Sequence, residues 1–269
     1  SRPTSSVGSS ALDFSNKYIV SFSLAVCLAC SLVVSAFAVG LKERQEINKK
    51  LDLQTNILVV AGLVEAGAKP SVEEVDRMFQ DIEASLYDRA TGALVGPAPE
   101  GYDVNALMAD AKTSEKGTST EELEVEDLAR VGNLPNQLLV FQVKTAGKQC
   151  WVLPIWGHGL GATLEGSLCP EQELQTVRRP TFYDHAGPPA LGGEVDNPNW
   201  KKLWRGKAIY DEAGELRLEV TKAGKVTDDR YQVDGISGAT ITSVAVGFFI
   251  QTWMSEAGYG PFLSANGRA

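Results

Sequence analysis

The chain has 269 residues, 43% of them hydrophobic and 22% charged, and it carries 34 acidic against 25 basic side chains for a net charge of −9. That is enough for one good-sized domain with an appendage, and apolar enough for a real core. The acidic balance argues against a nucleic-acid binder, which needs a basic face, and two His with four Cys argue against a protein-only metal site in the soluble part.

Residues 1–16 are polar and Ser-rich and are expected to be a disordered lead. From Tyr18 to Val39 there is no charged residue. At about 1.5 Å per residue the stretch reaches roughly 33 Å, so a transmembrane helix is expected over residues 17–40, longer than the apolar core of a cleaved signal peptide. Small residues such as Ser21, Ala25, Ala29 and Ser35 pepper the span and would let a neighbouring helix approach closely. Cys27 and Cys30 share one face of it, as inert small residues or as a pair near cofactor chemistry. Lys42, Arg44, Lys49 and Lys50 follow the span while only Arg2 and Lys17 precede it, so a charge count alone puts the rest of the chain in the cytoplasm.

The helical pattern continues from Leu41 to Leu63 and is expected to end at Gly67–Pro70. Ser71-Val72-Glu73-Glu74 reads as a capping box opening a second helix with Val75, Met78, Phe79 and Ile82 on its apolar face. A short hairpin is expected at Thr91-Gly92 and a further helix near 103–111. Residues 111–130 are polar and acidic, read as a solvated surface excursion, and are given no role.

Strands dominate the middle of the chain. Gln137–Lys144 and Gln149–Ile155 form an expected hairpin through Ala146-Gly147. Gly161–Cys169, Leu174–Tyr183 and Ala208–Val220 read as further strands, the last broken at Glu212-Ala213-Gly214, and Asn197–Arg205 has helical character. Cys150 and Cys169 would bridge only in an oxidising compartment and only if the strands bring them within reach.

Three glycine-rich stretches invite chemistry. Gly157-His158-Gly159-Leu160-Gly161-Ala162 matches a dinucleotide fingerprint, but the residues after it alternate like a strand, so a Rossmann site is rejected; a turn lining a ligand pocket and a plain strand connection both remain. Leu191-Gly192-Gly193-Glu194 is a tight loop bearing a carboxylate. Gly235-Ile236-Ser237-Gly238-Ala239 misses the hydrolase nucleophile elbow by one residue, and no His follows it to complete a triad.

The stretch Asp234-Gly235-Ile236-Ser237-Gly238-Ala239-Thr240-Ile241-Thr242-Ser243 runs into an apolar helical pattern of Ile241, Val244, Ala245, Phe248, Phe249 and Trp253, expected to stop at Gly258. Thr240 then stands at or just before a helix N-terminus, where free N–H groups and the dipole favour an anion; a plain N-cap Thr is the simpler alternative.

Ser237-Gly238-Ala239-Thr240, with Asp234-Gly235 before it and Thr242 after, resembles the flavinylation motif of FMN-binding domains. Taken with Pro154–Leu160, Leu191–Val195, Asn197-Pro198-Asn199-Trp200 and Gly258–Leu263 in that order, the chain resembles the C subunit of the sodium-translocating NADH:quinone oxidoreductase over nearly its whole length. The G subunit of the ion-pumping ferredoxin:NAD oxidoreductase shares the anchor and the flavin motif, and a stand-alone anchored FMN-domain protein is the reading from a different class. The resemblance implies an α+β fold: one N-terminal transmembrane helix, then a strand-rich FMN-binding domain over 41–269, its flavin part mainly 137–263, closed by a C-terminal helix. It implies FMN esterified through its phosphate to Thr240 by a flavin transferase, cradled by Ser237, Gly238, Ala239, Thr242 and Asp234. Leu191, Gly192, Gly193, Glu194, Gly157, His158 and Gly159 are the expected flavin surroundings. It further implies the bacterial inner membrane, a periplasmic domain against the charge count, and partners that include an iron–sulfur-carrying pair of membrane subunits and a second FMN-bearing subunit.

Overall fold

The computed structural model describes residues 16–158, 163–185 and 193–267. Its first element, α1 (Asn16–Val60), is one helix of 45 residues. From Lys17 to Lys42 it is long and apolar enough to cross a membrane, and every side chain there is exposed. In its last turns Leu53, Ile57, Leu58, Val59 and Val60 are all buried. The chain divides into two compact units, residues 1–51 and 52–269.

The helix ends earlier than its sequence pattern predicts. Leu63 N–H bonds the Leu58 carbonyl (2.9 Å) and Gly62 N–H the Val59 carbonyl (3.0 Å), a Schellman turn closed by Gly62 at φ 74°. Helix α2 (Val72–Phe79) starts as expected, with Glu74 N–H donating to Ser71 Oγ (3.3 Å) and Ser71 N–H to Glu74 Oε2 (2.9 Å).

Six antiparallel strands make the main sheet, in the order β2 (Leu94–Pro97), β1 (Ile82–Asp88), β5 (Gln137–Val143), β6 (Cys150–His158), β7 (Thr163–Pro170), β8 (Val177–His185). The β5–β8 part is a meander, and β1 joins it with Ser85 opposite Val140. Strands β5, β6 and β7 are buried on both faces, which is why β5 and β6 read as near-continuous apolar runs. A disulfide joins Cys150 to Cys169 at a Cα separation of 6.0 Å and ties β6 to β7.

Helix α3 (Val104–Ala111) is capped by Asp103, which accepts from Ala106 N–H at 2.9 Å. Beyond it, β3 (Gly117–Ser119) and β4 (Asn133–Pro135) pair as a ribbon. The segment between them is more than a surface excursion. Ala129 is buried, donates its N–H to Thr252 Oγ1 (3.2 Å) and accepts from His158 N–H (2.8 Å).

The stretch 208–220, expected as a broken strand, holds only the bridges Thr176–Ala208 and Tyr210–Leu216 before β9 (Glu219–Val220) pairs in parallel with β10 (Gln232–Val233). The Asp211 carboxylate accepts from Ala213 and Glu215 N–H, and that turn removes residues from any longer ladder. Helix α4 (Pro198–Lys202) has Asn197 as cap and Pro198 in its first turn.

Helix α5 (Thr240–Met254) ends at an extended Ser255, short of Gly258, and a second helix, α6 (Gly260–Gly267), closes the described chain. Just before α6, the single Tyr259 hydroxyl hydrogen is shared between the carbonyls of Leu139 (3.2 Å) and Pro154 (2.9 Å). Phe262 of α6 packs edge-on against Tyr87 and Trp151, at 4.6 and 5.4 Å between ring centres.

Candidate functional site

The turn into α5 is held from below. Trp200 of α4 donates its indole N–H to the Asp234 carbonyl (2.7 Å), and Asp234 Oδ1 accepts from Gly224 N–H (2.7 Å). Ile236 N–H bonds Ser243 Oγ (3.2 Å), and Ala239 N–H closes a turn onto the Ile236 carbonyl (3.1 Å). Gly238 stands in that turn at φ 84°, a conformation that strains any other residue.

Ala239 is the N-cap and supplies no side-chain hydrogen bond, so the helix start is uncapped. Thr240 is therefore the first helical residue and not the cap. It is exposed, and its hydroxyl has no hydrogen-bond partner among the described residues. An uncapped start leaves N–H donors and the positive end of the dipole facing the same space as that hydroxyl.

That space is a cleft of about 490 Å³. Thr240, Ile241, Val244, Ala245 and Phe248 of α5 form one wall; Asp127, Leu128 and Arg130 form another, with His158 at the end of β6 and Lys222 completing it. Ile241 is 62% and Phe248 38% exposed, so much of the α5 apolar pattern faces the cleft and not the core. Arg130 and Lys222 are exposed and without an ion-pair partner among the described residues. The Asp127 carboxylate accepts from Val131 (2.9 Å) and Gly132 (2.7 Å) N–H, which fixes the loop that carries Arg130.

The residues singled out from sequence fare differently. Thr240 and His158 meet in the cleft, and Ser237, Gly238 and Ala239 form the turn leading to it. Gly157 is a packing glycine: a Cβ there would collide with the Phe249 ring and the Ala129 carbonyl. Asp234 braces the neighbouring Lys222–Gly224 turn. Thr242 is buried, about 200° around the helix from Thr240. Gly193 opens a short 3-10 turn over Gly193–Asp196, while Gly159, Leu191, Gly192 and the Glu194 side chain lie outside the described residues. The sequence reading missed Asp127, Leu128, Arg130 and Lys222. A local signal existed for the first three, since an Asp placed before a turn-forming Val-Gly fits a side-chain-to-backbone turn.

The cleft fits a flavin mononucleotide: an apolar wall for a planar ring system, and an uncapped helix start with nearby cations for a phosphate. An FMN-binding domain model matches residues 159–255. The chain is 36% identical over 241 residues to the C subunit of the Na(+)-translocating NADH-quinone reductase of Yersinia pestis, spanning 88% of each chain. It is 38% identical over 247 residues to the corresponding C subunit of Pseudomonas aeruginosa, spanning 90% of this chain and 92% of that one. The chain belongs to the family of Na(+)-translocating NADH-quinone reductase C subunits.

The α+β fold agrees with that membership. The crystal structure of Shewanella oneidensis NqrC superposes with a TM-score of 0.66 at 26% identity, covering 80% of this chain and 95% of that one. The domain match takes in Thr240, Lys222 and the α5 wall but not His158 or the segment Asp127–Arg130. In this member of the family the cleft is thus completed from outside the matched domain.

Proposed function

We propose that this protein carries electrons within a Na(+)-translocating NADH-quinone reductase complex, through FMN joined by its phosphate to Thr240 Oγ1. The observation that carries the reading is the unpartnered Thr240 hydroxyl at an uncapped helix start, opening on an apolar cleft rimmed by cations. Bound FMN supplies the redox chemistry, because a flavin passes electrons singly or in pairs. The chain's own residues position it and set its surroundings.

A charge at the start of α5 gains about 0.3–1 kcal/mol, up to ~2 when partly buried. That orients a phosphodiester but does not retain a cofactor where no FMN pool replaces it, so the ester bond provides retention. Arg130 and Lys222 offset the negative charge, and the Ile241, Val244 and Phe248 wall excludes water from one side of the cleft. The cleft's open rim lets a redox centre of a neighbouring subunit approach. In the proposed route electrons arrive from iron–sulfur-carrying membrane subunits and leave to a second FMN-bearing subunit, towards quinone. A flavin transferase acts during maturation.

The exposed apolar stretch Lys17–Lys42 serves as a single-pass anchor in the inner membrane, with the domain on the periplasmic side. The Cys150–Cys169 disulfide supports that side, because such bonds do not persist in a reducing cytoplasm. It outweighs the basic residues after the span, since long translocated domains escape the positive-inside rule.

The test is expression with the flavin transferase in a bacterial host. The wild-type band should fluoresce on a denaturing gel, Thr240→Val should fold and stay dark, and gentle detergent should co-purify polytopic partners. Protease added to spheroplasts should digest the domain. A dark wild-type band overturns the covalent reading; a domain protected until lysis overturns the topology; a fluorescent chain that always purifies alone makes it an anchored FMN protein outside any pump.

A further inference from the structure

A second cleft, of about 570 Å³, shares no lining residue with the Thr240 cleft. Lys148, Arg178, Arg179, Lys201, Lys202 and Arg205 line it, and Glu65 and Glu171 are the carboxylates among its lining residues. Over the whole chain acids outnumber bases, 34 to 25, so this cleft reverses the charge of the protein around it.

Part of the excess is structural. Arg179 Nη1 donates to the Val59 carbonyl (3.0 Å) and Lys148 Nζ to the Gly62 carbonyl (2.6 Å), which places two cations at the negative end of α1. Arg178 holds Glu171 through Nε (2.7 Å) and Nη2 (2.6 Å), and Lys201 pairs with Asp196. These bonds fix the side chains but leave donors unspent, since a guanidinium carries five N–H groups. Lys202 and Arg205 have no partner among the described residues and are exposed on one face of α4 and its following turn. Buried Val59, Ala61 and Pro180 give the cleft an apolar floor.

We infer that this cleft binds a phosphate group carried on a larger organic body, either a lipid headgroup or a soluble phosphorylated small molecule. Fixed arginine forks match phosphate oxygens, and a phosphomonoester brings close to two charges where a single carboxylate brings one. The volume is in the range of small-molecule sites, and the apolar floor gives the remainder of such a ligand something to cover.

The experiment uses the full chain in nanodiscs and inorganic pyrophosphate as the probe, read by tryptophan fluorescence, because Trp200 and Trp204 flank Lys201 and Lys202. In phosphatidylcholine discs pyrophosphate should bind saturably. The double variant Lys202→Ala/Arg205→Ala should weaken it about tenfold or more, and Lys112→Ala, on the remote helix α3 turn, should not. Both substituted residues are exposed, so the variant should keep its far-UV spectrum; if it does not, single Lys202→Ala is read the same way. Phosphatidylglycerol in the discs should compete with pyrophosphate if the natural occupant is a lipid headgroup, and should leave its affinity unchanged if the occupant is soluble; either result supports a phosphate site. A response that never saturates and follows ionic strength, an unchanged affinity in the variant, or binding of an oligoglutamate peptide where pyrophosphate fails, would each overturn it.

Discussion

The two faces of α5 are built from the same kinds of residue and do opposite things. On one face, Phe249, Ile250, Trp253 and Met254 are almost wholly buried, and Trp253 donates its indole N–H to the Trp156 carbonyl (2.6 Å). On the other, Ile241 and Phe248 stand 62% and 38% exposed and line the cleft with Thr240. Apolar spacing says that a helix face avoids water; it does not say whether protein or ligand covers it. The distinction comes from long-range packing, because the buried face meets β6 and β9 while Ile241, Val244 and Phe248 line the cleft.

If that division is right, substitutions sort by face. Trp253→Ala should destabilise the domain by about 3–5 kcal/mol, seen as a lower denaturation midpoint in urea with flavin attachment lost as a consequence. A cost below about 1 kcal/mol would show that the buried face is not core. Gly157→Ala probes the contact of β6 with the buried face, since its Cβ would meet Phe249 and the Ala129 carbonyl. It should cost about 1–3 kcal/mol through overpacking. On the cleft face, Phe248→Ala and Ile241→Ser should change stability by no more than about 0.5 kcal/mol. The same changes made in a Thr240→Val background should weaken binding of free FMN about fivefold to tenfold, near 1 kcal/mol each. Equal effects on stability on both faces would erase the comparison.

Tyr102 serves as a control outside α5 and its cleft. Its hydroxyl donates to Asp110 Oδ2 (2.8 Å). Burial, then this bond and the Asp110 charge, raise its pKa above the ordinary value of 10.0. The raised folded-state pKa means that the unfolded chain releases the proton first. Tyr102 therefore contributes stability below about pH 10 that is lost as pH rises above it. Tyr102→Phe should cost about 0.5–1.5 kcal/mol near neutrality and flatten the alkaline loss, with flavin loading unchanged.

Much of this was legible where the signal is local. The Ser71–Glu74 capping box, the Thr91-Gly92 hairpin, the Asn197-Pro198 helix start and the β5–β6 hairpin each follow from chemistry within a few residues. The place of Thr240 at a helix start was legible because the glycine turn and the helical pattern adjoin it. What stayed hidden depends on distant partners. Arg130 reaches the cleft because the Asp127 carboxylate folds its loop and Ala129 is pinned to Thr252 and His158. The Asp234 carboxylate accepts from Gly224 N–H, across a pairing that no spacing rule reveals. The end of α1 was misplaced because Gly62 and Gly67 offer similar stop signals and only the buried turns before Gly62 decide between them.

The central claim is that Thr240, alone among the hydroxyls at the start of α5, carries the cofactor. It is tested most directly by the intact mass of denatured protein made with the flavin transferase, followed by peptide mapping of residues 231–254. The wild-type chain should be heavier by FMN less one water, with the added mass on Thr240 and absent from Thr240→Val. Added mass on Thr242 or Ser237, or a wild-type chain that keeps its unmodified mass and releases its flavin on denaturation, would contradict the account.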